Sequence, residues 1–301
     1  MNSLGKQAKR RESTNTPEGF GLIGRSAALD RRIHAVRGDI ADIALAGVLF
    51  APHYARPMTR RCSVPVAAVR EAPGDDAELI SELLHGEAFE ILDLSGAWAW
   101  GYSAHDHYVG YIRQDVLDDS PAPAWRVRVR SAEVLNAATE GASVRERLSM
   151  GALVAGTLDG DGVETAKGWI ARESLQPANH VGGDPVTFAQ QMIGVPYLMG
   201  GRSVDGIDCS GLVQLSLALT GVSAPRDSDL QAEALGTPRA PDAALRRGDF
   251  IFFEGHVGMM VDAERMIHAN GNANAVSIDP VADVRARAAA KGVDSFMVRR
   301  A

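Results

Sequence analysis

Between Cys62 and Leu117 the chain is cut into short apolar runs, each ended within a few residues by Gly, Asp, Ser or Pro. Val64–Val69, Glu78–Leu84, Phe89–Leu94, Trp98–Tyr102 and Tyr108–Ile112 are too short for stable helices. Turn residues such as Pro73-Gly74-Asp75 separate them. Closely spaced strands of this kind predict a small all-β unit. Ser120-Pro-Ala-Pro-Ala124 reads as a linker, and a similar cadence resumes from Trp125 to about Pro177. The closing segments Tyr108-Val-Gly-Tyr-Ile-Arg-Gln-Asp-Val-Leu117 and Lys167-Gly-Trp-Ile-Ala-Arg-Glu-Ser-Leu175 are alike, which suggests one β module used twice.

The pattern changes after Gly182-Gly183. Asp184-Pro185 reads as a helix cap followed by proline at the first helical position, and Cys209–Leu219 reads as a largely buried helix. Strands are then expected at Asp249–Phe253, Val257–Val261, Arg265–His268, Ala275–Ile278 and Ser295–Arg299. Helices followed by an antiparallel sheet predict an α+β domain over 184–301. The remaining divisions are a disordered tail at 1–25, a helical or packed arm at 26–60, and β modules at 61–119 and 124–178. The arm is read from Ile33, Val36, Ile40, Ile43 and Leu45.

A net charge of -7, with no basic run beyond Lys9-Arg10-Arg11, argues against a nucleic-acid partner. No stretch reaches the ~18–20 consecutive apolar residues that span a bilayer, so no membrane partner is expected. The polar first twenty residues lack the apolar core of an export signal, and a cytoplasmic location is expected. Two cysteines do not make a disulfide framework. Cys62, opening a strand, reads as structural.

Cys209 is the cysteine with chemical promise. It stands at the first turn of a buried helix, where unpaired N–H groups and the positive end of the helix dipole favour a thiolate. A thiolate nucleophile needs a base, and the base needs an orienting group. His256 and His268 lie on consecutive predicted strands joined by the turn Asp262-Ala263-Glu264, which brings them together. Asp208 reads equally as the helix cap or as a substrate contact.

Taken in order, Gly194-Val-Pro-Tyr-Leu-Met-Gly-Gly-Arg-Ser203, Gly206-Ile-Asp-Cys-Ser-Gly-Leu-Val-Gln214, Pro225-Arg-Asp-Ser-Asp-Leu-Gln231, Gly248-Asp-Phe-Ile-Phe-Phe253, Gly255-His-Val-Gly258 and Ile267-His-Ala269 resemble the NlpC-type family of cell-wall endopeptidases. The β modules resemble bacterial SH3-like domains. The resemblance implies a papain-like domain preceded by two small SH3-like barrels. It also implies a Cys209–His256–His268 triad and no metal or cofactor. Its substrate would be a murein tripeptide or tetrapeptide with a free N-terminal L-Ala, cut after γ-D-Glu during wall-peptide recycling. Substrate contacts would come from Asp208 on the amine, Arg226 and Ser228 on the D-Glu carboxylate, and Ser210, Tyr108 and Tyr197 along the groove. Either Glu82 or Glu87 would assist at the amine. Met199 stands where many relatives carry Trp. The sequence leaves open an amidase or acyltransferase on the same fold, a non-catalytic wall-peptide binder, and the oligomeric state.

Overall fold

The computed structural model describes residues 29–240, 242–293 and 295–300. The expected disordered tail at 1–25 lies outside the described residues. Among those described, no helix is long and apolar enough to cross a membrane.

The expected helix at the start of the arm does not form. Asp30–Ile33 is a turn, Ile40–Asp42 is a strand paired in parallel with His53–Ala55, and Ile43–Leu45 is a single 3-10 turn. The apolar spacing suited a helix, but Gly38 and Asp39 interrupt it and Gly47 takes φ +86°. The apolar residues serve a different surface. Ala35 and Ile40 pack on Leu92, Trp100 and Tyr102, while Arg37 lies over the Trp100 ring and pairs with Asp93 at 2.7 Å.

A seven-stranded antiparallel sheet follows, in the order Leu79–Leu84, Val66–Arg70, Val109–Arg113, Trp98–Ser103, Ala88–Ser95, Met58–Cys62 and Leu117–Asp118. Val69, Leu83, Phe89, Ala99 and Ile112 form its core, and Cys62 is buried among them. The expected barrel does not close: Leu79–Leu84 and Leu117–Asp118 remain the two edges, and the first of them contacts the C-terminal region. There, Arg202 donates its backbone N–H to the Glu82 carboxylate and its guanidinium to the Glu82 carbonyl.

The second β region divides into two sheets instead of a barrel. Trp125–Val127 pairs with Leu153–Val154 and Leu175–Pro177. Val144–Ser149, Ser131–Leu135, Gly168–Ala171, Gly162–Thr165 and Gly156–Asp159 form the other sheet. Gly151, at φ +88°, turns the chain from one to the other. The two similar closing segments take the same local course: a strand, a 3-10 turn (Gln114–Val116 and Arg172–Ser174), and a short strand.

The C-terminal region contains helices α1 (Pro185–Gln191), α2 (Cys209–Ala218), α3 (Ser228–Ala234) and α4 (Val281–Ala289). Its six-stranded antiparallel sheet runs Thr237–Arg239, Met297–Arg300, Phe250–Phe253, His256–Met260, Arg265–Asn270, Ala275–Pro280. Helix α1 starts as expected: Asp184 accepts the Val186 N–H at 2.9 Å, and Pro185 follows it. Helix α2 is buried through most of its length because Leu212, Val213, Leu215 and Leu217 alternate with small Ser210, Gly211 and Ser216. These side chains share one apolar core with Val257, Met259 and Ile267 of the sheet and with Leu148, Met150 and Ile170 of the second β region. The site is therefore carried on a helix held from two sides.

Candidate active site

Helix α2 starts at Cys209 because Asp208 caps it, accepting the Gly211 N–H at 2.7 Å. The approach is too tight for a side chain: a Cβ on Gly211 would meet the Gly201 carbonyl oxygen at 2.6 Å. The Cys209 N–H has no acceptor among the described residues.

Cys209 itself is 6% exposed. Burial, then the neighbouring Asp208 carboxylate, pushes its thiol up to about 11, against the opposing pull of backbone N–H groups at Val257 and Ser210. The helix start was expected to lower this value. Desolvation and a like charge outweigh the dipole here. The resting sulfur is a thiol.

Helix α2 packs against the strand that opens with His256. A two-residue turn, Glu254-Gly255, precedes it, with Phe253 pairing across to His256 and Gly255 at φ +69°. His256 Nε2 lies 2.7 Å from His268 Nδ1. Gly258 lies close against the strand that carries His268: a Cβ there would sit 2.2 Å from the Met266 methyl and 3.0 Å from the His268 Cβ. His268 Nε2 in turn lies 3.0 Å from Asp279 Oδ2, which accepts an Arg287 N–H at 2.8 Å.

The chain of contacts assigns the protons. An Asp279 carboxylate accepts from His268 Nε2–H, so His268 Nδ1 is the acceptor for His256 Nε2–H. The lone pair of His256 Nδ1 is left free. His256 is neutral, drawn down to about 3 by burial and then by the charges of His268, Lys291 and Arg287. Burial also lowers His268, although Asp279 opposes this. No hydrogen bond joins the Cys209 thiol to His256 among the described residues. The groups that reach the sulfur are the Val257 N–H, one residue beyond, and the Ser210 N–H.

Two cavities meet at Gly255. The first, about 310 Å³, is walled by Cys209, Ser210 and Ser228 of the C-terminal region, by Glu78 and Tyr108, each just ahead of a strand of the first sheet, and by Arg32 of the arm. Asp208, Asp227 and Asp229 also line it, giving it an acidic character. The second, about 560 Å³, lies on the side of His256 and His268.

The expected substrate residues divide between these surroundings. Tyr108 donates its hydroxyl to Asp227 at 3.0 Å, and Arg32 pairs with the same carboxylate at 2.8 Å. Ser228 opens α3 on the cavity wall. Tyr197 is half-buried and close enough to Cys209 and Asp208 that burial and then their charges raise its phenol to about 12. Ser210 donates to Asp208 at 3.2 Å. Met199 is 62% exposed at the rim.

Arg226 does not face the groove. It is 1% exposed, and all five of its N–H groups are engaged: one by Ser81, two by the oxygens of Asp208, one by Ser210 and one by the Gly201 carbonyl. No donor is left for a substrate carboxylate. It serves Asp208, whose oxygens also accept from Gly200 and Gly211. Glu82 and Glu87 are likewise committed to buried Arg202. The carboxylate of the first β region that reaches the cavity is Glu78, one residue ahead of the edge strand. Sequence reasoning missed Glu78, Asp279 and Arg32. Asp279 alone carried a readable signal, as an acidic residue on a strand beside His268. Among the described residues no group of His, Cys, Asp and Glu could hold a metal.

Residues 194–292 match the NlpC/P60 family. The C-terminal region is a cysteine peptidase domain of that family. Residues 69–117 match the bacterial dipeptidyl-peptidase Sh3 domain, so the NlpC/P60 region here follows an SH3-like one. A protein of Lysinibacillus sphaericus named dipeptidyl-peptidase 6 is 29% identical over 235 residues, covering 69% of this chain and 86% of that one. The peptidoglycan endopeptidase RipB of Mycobacterium tuberculosis is 36% identical over 110 residues, 31% of this chain and 45% of its own length. The chain thus spans less than half of RipB. An NlpC/P60 family protein of Bacillus cereus shares the fold with a TM-score of 0.66 at 20% identity, over 74% of this chain and 94% of that one.

Proposed function

We propose that the chain is an endopeptidase of murein peptides that cuts the bond between γ-D-Glu and a diamino acid when the N-terminal L-Ala is free. The observation that carries this reading is the 2.7 Å His256–His268 contact on the strand against which the Cys209 helix packs, beside a cavity lined by acidic groups of two regions.

In this reading Cys209 is the nucleophile, His256 the base and His268 the group that orients it. Because the resting sulfur is a thiol, attack begins with its proton passing to the free Nδ1 of His256 as the sulfur bonds to the γ-carbonyl carbon of D-Glu. The unpaired Cys209 N–H is available to the oxyanion. His256 then gives its proton to the departing amine. Water, deprotonated by the same nitrogen, releases the L-Ala-γ-D-Glu acyl group from sulfur. No step needs a metal or cofactor.

The acidic cavity suits a peptide's ammonium end. Asp208 already carries five hydrogen bonds, so its contribution is mainly its charge. Glu78 and Asp227, with Tyr108 anchored on the latter, stand where the amine would lie, and Ser228 stands where the D-Glu carboxylate would lie. The first β region contributes Glu78 and Tyr108 to the wall of this cavity, on the side where the free amino end is proposed to lie. We place the action on released wall peptides in the cytoplasm, which fractionation of cells tests.

The test of specificity is mass spectrometry of products from L-Ala-γ-D-Glu-diaminopimelate with the amino terminus free or acetylated. Release of L-Ala-γ-D-Glu from the free peptide alone is expected. Equal cleavage of the acetylated peptide would refute the amine-recognition part.

A further inference from the structure

The second cavity lies on the side of His256 and His268, and apart from Gly255 its lining is distinct from that of the first. Phe253, Val284 and Val293 give it an apolar floor, and its charged residues are Glu254, Arg287 and Lys291. The Arg287 guanidinium is held by Asp279. Lys291 and Glu254 form no ion pair among the described residues. Lys291 stands near enough to His256 for its charge to act on that imidazole.

The chemistry of the proposed reaction fixes which half of the substrate belongs there. His256 must protonate the departing amine, so the residue bearing that amine lies on the His256 side of the sulfur. We infer that this cavity receives the diamino acid and that Lys291 and Glu254 read the far end of its side chain, selecting meso-diaminopimelate over L-lysine. The inference rests on the peptidase reading above. The two amino acids present the same α-carbon groups to the enzyme and differ at the side-chain terminus. Diaminopimelate ends in a carboxylate and an ammonium together; lysine ends in an ammonium alone. One free cation and one free carboxylate complement the first. For lysine, the carboxylate-binding cation is left unmatched, and a like charge is brought toward Lys291 and Arg287. The apolar floor suits the methylene chain common to both.

The experiment compares kcat/KM on L-Ala-γ-D-Glu-meso-diaminopimelate and L-Ala-γ-D-Glu-L-Lys for the wild type, Lys291→Gln and Lys291→Glu, with thermal melting to confirm that each variant is folded. The α-carboxylate is present in both peptides and cancels in the ratio. The wild type should prefer the diaminopimelate peptide by about tenfold or more, the worth of one charge-assisted contact. Lys291→Gln should bring the ratio toward one, chiefly through KM on the diaminopimelate peptide, and Lys291→Glu should favour lysine. A wild-type ratio near one, or a preference untouched in folded Lys291→Gln, overturns the inference and leaves the peptidase reading standing. Hydrolysis of neither peptide overturns the peptidase reading and this inference with it.

Discussion

Replacing Asp279 with Asn changes the charge behind the two histidines while keeping the side chain's size. The His256 and His268 ring centres are 5.0 Å apart, and Asp279 lies 3.0 Å beyond the far nitrogen of His268. Carboxylate and developing imidazolium are thus separated by roughly 9 Å, worth about 2 kcal/mol at an effective dielectric of about 20. Losing that stabilisation slows the chemical step by roughly 30-fold. A further loss follows if the Asn amide donates to His268, because the proton order reverses and His256 Nδ1 becomes a donor unable to accept from sulfur. Single-turnover kinetics on the tripeptide read this as a fall in the acylation rate, with KM nearly unchanged and with Asp279→Glu recovering part of the rate. Wild-type acylation by a folded Asp279→Asn would refute the relay of protons from Asp279 to His256.

Other consequences follow from burial. Arg226→Ala strands Asp208 as a buried, unpaired carboxylate and should cost about 3–5 kcal/mol, read by urea denaturation. Gly151→Ala puts a Cβ 2.3 Å from a Leu215 methyl at φ +88°, and a loss of about 1–3 kcal/mol is expected in the same assay. The histidines bear on acid stability. His256 titrates at about 3 when folded but near 6.5 when unfolded, so below 6.5 the unfolded chain binds the extra proton. Stability should therefore be lost as pH falls from about 6.5 toward 3, and His256→Gln should flatten that slope.

Where periodicity and turn chemistry act locally, the sequence was informative. Helix α1 begins at its Asp-Pro signal, α2 is buried on the strength of its leucines, and the strands bearing His256 and His268 fall where expected. The arm was not legible, because a helical spacing of apolar residues was satisfied by packing on Trp100 and Tyr102 of another element. The first sheet stays open, and its edge residue Glu82 is bonded instead to Arg202, some 120 positions away, a contact no local pattern carries. Arg226 shows the same limit within the site: its residue type suits a substrate carboxylate, yet Asp208, Ser210, Ser81 and the Gly201 carbonyl use every donor it has. The thiol's elevated pKa also depends on burial, which the helix-start motif does not encode. Glu78 reaches the cavity only through the docking of two regions, a relation no local pattern carries.

The most direct test is the acyl-enzyme itself. Intact-protein mass spectrometry after rapid acid quench, with the free tripeptide as substrate, should show a mass gain equal to one L-Ala-γ-D-Glu acyl group on Cys209. The gain should disappear, together with turnover, in Cys209→Ala, whose melting curve should match the wild type. Undiminished turnover by that variant, or the acyl group on another residue, would contradict the account.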